Sequence, residues 1–503
     1  MSPASHLERE VKLAVWPGFE LPSLDDVADG VLAVPAHEQR LDAVYYDTPD
    51  LRLARSGITV RHRSDDGWTL KLPDDGPAVP GGLSRREITV KGDARRPPAM
   101  IRSLLASRVR SASFTAVARL QTLRHRTDLV DREGVVLAEV VDDVVSVREG
   151  RQVVLRFREV EIELGDGAPD GMLEKVVARL RAAGAGPPDP TPKVIRALGP
   201  RAVAAPELTE VRFDRNPSAA DVLVVGLARS VRRLIEHDPA VRVGDNDEAV
   251  HQARVATRRL RSDLRTYAEL LDRAWADPLR DELRWLADAL GEVRDADVLG
   301  GRLRRQLEAL RRPDRVVGGA LLDAVNEQRA AARQRLDAVL DSPRYLQLLD
   351  ALVDAVHHPR VLPAAERPAK EALPRLVRKP WDALEKAATR ISARSADEEL
   401  HEVRIRAKRA RYAAEVAAIV LGAQAQRLAD ELGSLQDVLG EHQDACNARE
   451  WARRLALDAE SPVAFVAGEV AALQDVEATR NRNDWAAAWQ RASKGKLRAW
   501  LKR

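Results

Sequence analysis

The chain has 503 residues, with 81 Lys+Arg against 78 Asp+Glu for a net charge of +3, 45% hydrophobic and 32% charged residues. That length calls for at least two domains, and the near-neutral balance excludes a uniformly basic surface, so any polyanion site must be local. No stretch approaches a membrane-spanning apolar run, the start MSPASHLEREVKL carries no secretory pattern, and the single Cys446 excludes an intramolecular disulfide and a Cys-based zinc cluster. A cytoplasmic protein of a reducing compartment, with no membrane segment, is expected.

Up to about residue 165 the chain runs in short β-branched segments: REVKLAV, GITVRHR, WTLKL, REITVK, VVLAEVV and VVLRFREVEIEL. Turn-formers such as PDDG and REG separate them. Residues two apart on a strand share a face, which groups Glu8, Glu10 and Lys12, Arg61 with Arg63, Arg124 with Arg126, Glu139 with Asp143, and Glu159 with Glu161 and Glu163. A solvated outer face would mix signs, whereas these faces are segregated by sign. Turned inward, they would line the wet lumen of a closed antiparallel β-barrel, its basic strands suited to phosphate. Clustered carboxylates there need a counter-ion, and oxygen-only ligands point to Mg²⁺ or Mn²⁺.

The start Glu8-x-Glu10-x-Lys12, followed by YYDTPDLRLARSGITVRHR, WTLKL, REITVK, VVLAEVVDD and REVEIEL, resembles the CYTH or triphosphate tunnel metalloenzyme family over roughly residues 5–200. The resemblance implies an eight-stranded antiparallel tunnel that hydrolyses triphosphate-containing substrates with a divalent metal. By it, Arg61, Arg63, Lys71, Arg124, Arg126 and Lys193 grip phosphates. Glu8, Glu10, Glu139, Glu159 and Glu161 hold metal, with Asp143, Glu163 and Glu87 as further members. Lys12, acting with Glu8 and Glu10, serves as a phosphate ligand or helps activate the attacking water. Where the family usually carries a Ser-Lys pair, this chain reads Thr191-Pro192-Lys193.

A Pro/Gly-rich passage follows the β domain (1–200), and a linker is read at 201–216. From about 217 to 503 the chain is Ala/Leu/Arg-rich and helical in period, and it repeats itself. Asp247, His251, Arg254, Arg258 and Arg261 line up with Asp397, His401, Arg404, Lys408 and Arg411 at an offset of 401 − 251 = 150. Leu290-Gly291-Glu292 through Asp295-Ala296 lines up with Leu439-Gly440-Glu441 through Asp444-Ala445. The fold class is therefore multidomain α+β: a barrel tunnel, then an all-α domain of two pseudo-repeated bundles at about 217–350 and 370–495, joined by the Pro-rich stretch 359–374. Asn246 or Asp247 is expected to cap the first repeated helix, and Ser395 with Glu398 to form a capping box on the second.

At helical spacing, His251, Arg254, Arg258, Arg261 and Arg265 fall within an arc of about 80°. Leu260, Leu264 and Tyr267 lie opposite. His401, Arg404, Lys408 and Arg411 repeat the stripe. Ordinary surface helices intersperse signs to gain i,i+4 pairs, so two stripes nearly free of acids suggest an anion site. This half resembles the CHAD family of conserved-histidine α-helical domains, on VHQARVATRRLR, LHEVRIRAKRAR, ALGEVRDAD and VLGEHQDA over about 217–495. The resemblance implies two bundles with a central basic surface that binds inorganic polyphosphate, through His251, Arg254, Arg258, Arg261, His401, Arg404, Lys408 and Arg411. Arg294 and His442 are further contributors, and the LGxxxDA segments are helix-packing elements.

Two functions stay open. One is metal-dependent hydrolysis of inorganic triphosphate, polyphosphate or another triphosphate, thiamine triphosphate included, with the helices holding the polymer on polyphosphate granules. The other is a non-catalytic polyphosphate-binding protein with a vestigial or repurposed tunnel. Nucleic acid as partner is disfavoured by the 4% aromatic content, with no aromatic interleaved in either stripe.

Overall fold

The computed structural model describes residues 4–73, 82–165, 167–209, 215–244, 246–392 and 394–502; among these, the side chains of 4–8, 83 and 502 are not described. The side chain of Glu8 thus lies outside the described residues. The chain divides into two compact units, Met1–Glu207 and Leu208–Arg503.

In the first unit the strands are β1 Ala4–Val15, β2 Leu32–Pro35, β3 Gln39–Asp47, β4 Thr59–Arg63, β5 Gly67–Pro73, β6 Leu83–Val90, β7 Thr115–Val130, β8 Val136–Glu149 and β9 Gln152–Leu164. All pairings are antiparallel, and eight strands close in the order β7-β3-β4-β5-β6-β1-β9-β8 and back to β7, while the short β2 extends the sheet beside residues 127–130 of β7. The expected barrel is therefore present.

The alternation is inverted relative to an ordinary small barrel, with apolar residues outward and charged ones inward. Val11 and Leu13 of β1 and Val160 and Ile162 of β9 pack outside against the helix α2, Met172–Ala182, while Trp68, Leu70 and Ile88 pack with Ile101, Leu104 and Leu105 of the helix α1, Ala99–Val109. A short helix α3, Lys193–Leu198, sets Val194 and Ile195 against Ala43, Tyr45, Leu120 and Val145. Residues beyond 200 still pack on this unit: Ala202 is buried in that cluster, and Arg110 Nη2 lies 2.6 Å from Glu207.

The second unit is helical: α4 Ala219–Val243, α5 Asp247–Thr266, α6 Arg273–Ala309, α7 Arg312–Val317, α8 Gly319–Leu340, α9 Pro343–His357, α10 Ala369–Ala388, α11 Asp397–Leu421, α12 Ala423–Asp458 and α13 Ser461–Ala492. Three helix starts recur at one offset: 369 − 219 = 150, 397 − 247 = 150 and 423 − 273 = 150. The halves also exchange equivalent hydrogen bonds, Ala219 N–H donating to Arg367 O (3.0 Å) and Ala369 N–H to Pro217 O (2.8 Å). Both repeats feed one core, in which alanines such as Ala253, Ala256, Ala407 and Ala410 let α5 and α11 lie close to their neighbours.

Asn246 caps α5, its side chain accepting from Glu248 N–H at 2.9 Å. The capping of α11 departs from expectation. Its N-cap is Ala396, whose N–H donates to Glu399 at 2.9 Å, and Ser395 Oγ instead accepts from Ser392 N–H at 3.2 Å. The proline-rich joint also becomes helical early, since α10 starts at Ala369 and holds Pro374 inside. Among the described residues no helix is long and apolar enough to cross a membrane.

Candidate functional site

The inward face of the barrel encloses a cavity of about 210 Å³. Register explains its charge: Glu139 of β8 lies opposite Glu163 of β9, which lies opposite Glu10 of β1, forming one row of three carboxylates across neighbouring strands. One row on, Glu161 lies opposite Lys12. Arg61, Arg63, Lys71 and Arg124 line the same cavity, and the first turn of α3 brings Lys193 into it. Glu87 also lines it.

The cations are largely held by these acids. Lys12 Nζ bridges Glu10 at 2.8 Å and Glu161. Arg124 makes a fork on Asp143, at 2.9 and 2.7 Å. Lys193 Nζ touches Asp143 (3.0 Å), Glu159 (3.1 Å) and Glu161 (2.7 Å). Lys71 pairs with Glu87 at 2.8 Å.

Burial disfavours the charged form of Lys12, yet the carboxylates of Glu161 and Glu10 outweigh it and raise its pKa. Burial likewise opposes ionisation of Glu10, but Lys12, with Arg85 and Lys71, lowers it to about 2. Glu161 is lowered well below the usual value, its burial overcome by Lys12 and Lys193. Lys193 is raised: burial is outweighed by Glu161, Asp143 and Glu159.

Three described residues of the expected set, Asp143, Glu159 and Arg126, stand apart from the cavity wall; Asp143 is fully buried under Arg124 and Lys193. Glu159 is fully buried behind Lys193 and Arg196, the latter at 3.1 Å, and burial raises its pKa. Arg126 turns to Asp128 at 2.6 Å and Glu139 at 3.0 Å. Sequence reasoning missed Arg85, which lines the cavity and pairs with Glu10. Its signal was there: Arg85 stands two before Glu87 in SRREITV, on the same face.

The helical unit holds a second cavity, of about 460 Å³. His251, Arg254 and Arg258 of α5 and His401, Arg404 and Lys408 of α11 all line it, joined by Arg294 and Arg302 of α6 and Arg454 of α12. The two stripes therefore converge on one space. Arg261 and Arg411 are not among its lining residues: Arg411 pairs with Glu415 at 2.8 Å, and Arg261 is lowered by burial and by Arg284, with Asp288 opposing. The stripes are cut where α5 meets α11, at the contacts of Arg258 with Tyr412 and Arg259 with Glu415. His442 does not reach this cavity either; it lies in the seam between α11, α12 and α13.

Arg302 is paired with Glu441 at 2.9 Å and Glu477 at 3.0 Å, whereas the cations of α5 and α11 are poorly compensated. Arg254 has Asp295 at 3.1 Å, but burial, then Arg404, Arg258 and Arg254, push Lys408 down to about 7. Burial and the neighbouring arginines lower Arg404 and His251 as well, with Asp444 opposing on Arg404. Buried cations that depress one another are a site prepared for an anion.

Comparison with known proteins agrees with both halves. Residues 6–191 match the CYTH domain and residues 226–453 the CHAD domain. The chain is 36% identical over 474 residues to the Mycobacterium tuberculosis protein Rv2226, covering 89% of this chain and 88% of that one. The chain belongs to the CYTH–CHAD family. CYTH domains are metal-dependent and include triphosphatases, and both domains relate to triphosphate or polyphosphate binding. Two solved structures align with lower similarity. PptA from Streptomyces chartreusis does so at 21% identity and TM-score 0.47, covering 55% of this chain and 99% of that one. The CHAD domain from the plant Ricinus communis does so at 24% identity and TM-score 0.46, covering 57% and 96%.

Proposed function

We propose that the CYTH domain is a divalent-metal-dependent triphosphatase acting on inorganic triphosphate or on polyphosphate, and that the CHAD domain binds the polymer. The observation that carries this reading is the carboxylate row Glu139, Glu163 and Glu10 in one cavity with Arg61, Arg63, Lys71, Arg85 and Arg124. Like charges opposed on adjacent strands repel, so the row calls for a cation. The donors are all oxygen, which suits Mg²⁺ or Mn²⁺. An ammonium, that of Lys12, already sits between Glu10 and Glu161, and both carboxylates stay ionised, so the residues fit such an ion.

Glu10 and Glu161, with Glu139 and Glu163, would hold it; Glu8 belongs to the same set by resemblance. When bound, the ion neutralises charge on phosphate oxygens. Phosphoryl transfer needs mainly positioning and electrostatic stabilisation. Arg61, Arg63, Lys71, Arg124 and Lys193 would hold and orient the phosphate oxygens. Lys12, kept protonated, donates a hydrogen bond to one of them rather than taking a proton. Covalent fusion to the CHAD domain raises the local concentration of polymer for the tunnel and would carry the protein onto cytoplasmic polyphosphate granules.

The test separates the domains. Glu10→Gln should cut metal-dependent phosphate release by at least about 100-fold, since loss of a mere outer-shell partner already costs 10–100-fold, while polyphosphate binding by the full chain stays unchanged. Equal loss of both would contradict the division of labour.

A further inference from the structure

A second cluster of metal-type donors lies in the helical unit, away from both cavities. Asp397 at the start of α11 and His442 and Cys446, one turn apart on α12, bring their ligand atoms within 4.8 Å of one another. His442 Nε2 is 3.1 Å from Asp397 Oδ1, Cys446 Sγ is 3.4 Å from Asp397 Oδ2, and Sγ is 3.7 Å from Nε2. Ligands of a tetrahedral zinc ion, at bond lengths of about 2.0–2.1 Å for N and O and about 2.3 Å for S, stand roughly 3.3–3.6 Å apart. The three observed separations bracket that range.

The orientation of the ring points the same way. His442 Nδ1 lies 3.0 Å from the carbonyl oxygen of Ala478 and donates to it. Its other ring nitrogen, Nε2, is thereby aimed at the carboxylate of Asp397 at 3.1 Å. A ligating histidine has this arrangement, its second nitrogen fixed by a backbone carbonyl. The ligating carboxylate would in turn be oriented by Arg449 (3.1 Å) and Arg482 (2.9 Å).

The other repeat is an internal control. Asp397 corresponds to Asp247 (397 − 247 = 150), His442 to Val293 (442 − 293 = 149) and Cys446 to Asp297 (446 − 297 = 149). There Arg329 closes the seam, donating to Asp297 at 2.5 Å and Asp247 at 2.8 Å, with Val293 buried beside it. The second half thus carries a soft and a borderline ligand in place of an acid and a valine, both turned to the retained aspartate. His442 and Cys446 are buried, while the Asp397 side chain is 30% exposed and leaves a path for an ion and a fourth, solvent ligand.

We infer that Asp397, His442 and Cys446 form a site for a zinc-type divalent ion that ties the start of α11 to α12. Thiolate and carboxylate balance the ion's charge. The site is independent of the tunnel reading, because the tunnel donors are oxygen-only.

The chain has one cysteine, so a cobalt–thiolate signal can arise only here. The full-length protein, reduced and stripped of metal, is titrated with Co²⁺. The expected result is thiolate-to-cobalt charge-transfer absorption saturating near one equivalent, displaced by Zn²⁺, absent in Cys446→Ser and at least about 10-fold weaker in affinity in His442→Gln. Zn²⁺ should also slow alkylation of Cys446 in the wild type by at least about 10-fold. A folded wild type that gives no thiolate band, or gives one unchanged by His442→Gln, overturns the site and leaves a hydrogen-bonded helix seam. The wild-type readings stand whether or not the variants fold.

Discussion

Arg254 and Arg404, 150 positions apart, each lay the guanidinium over a glycine of the facing helix, Gly291 on α6 and Gly440 on α12; a Cβ there would sit 3.7 and 3.6 Å from it. Four residues beyond each glycine stands an aspartate turned to the same arginine, Asp295 at 3.1 Å from Arg254 and Asp444 lining the cavity beside Arg404. The repeated LGxxxDA segments therefore aim the stripe arginines as well as packing helices.

Charge removal at the convergent residues should be far more damaging than at the outlying ones. Arg254→Gln, Arg258→Gln, Arg404→Gln and Lys408→Met together should weaken long-chain polyphosphate binding by at least about 100-fold, on the basis of about 1 kcal/mol or more per buried charged contact. Arg261→Gln with Arg411→Gln should cost less than about 5-fold. Wild-type affinity should fall as salt is raised from 50 to 200 mM. Fluorescence titration with labelled polyphosphate checks all three.

Binding should depend on pH through Lys408. Its folded value of about 7 lies far below the usual lysine range, so between about pH 7 and pH 10 the unfolded chain binds more protons than the folded one. This group thus adds stability as pH rises through that window. A bound polyanion restores the proton, so affinity is greatest below pH 7 and falls above it, with a slope approaching tenfold per pH unit. In Lys408→Met this part of the slope between pH 7 and 9 should vanish. Isothermal titration in buffers of different ionisation heat would show the proton taken up.

Inside the barrel, Lys193 is the counter-charge to a fully buried Glu159. Lys193→Met should destabilise the barrel unit by at most about 3–5 kcal/mol, the cost of leaving a buried charge unpaired, reduced by what Arg196 at 3.1 Å retains. Adding Glu159→Gln should recover part of that loss. Hydrogen exchange of the barrel strands across a denaturant series reads the barrel transition, and no recovery in the double variant would mean that Arg196 alone satisfies Glu159.

The parts legible in the sequence were those set by local period. Glu10, Lys12, Arg61, Arg63 and Glu161 could be read because a strand puts alternate residues on one face, and the barrel turns that face inward. Likewise, Arg254 and Arg404 followed from helical spacing and the repeat. What period cannot give is where a neighbouring element cuts a face. Arg261 and Arg411 keep the stripe spacing but lie past the α5–α11 contact, and Arg126 is drawn to Asp128, its neighbour two along. Arg85 was missed although alternation marked it. The cluster of Asp397, His442 and Cys446 joins residues 45 and 49 apart and exists only through the docking of α11 on α12.

The most direct test of the central claim is phosphate release by the full-length protein from tripolyphosphate, long-chain polyphosphate, ATP and thiamine triphosphate, each with Mg²⁺, with Mn²⁺ and with excess chelator. Release that requires the metal and is fastest from an inorganic substrate is the predicted result. No release from any of the four, together with salt-sensitive polyphosphate binding, would contradict a catalytic tunnel and leave a polyphosphate-binding protein.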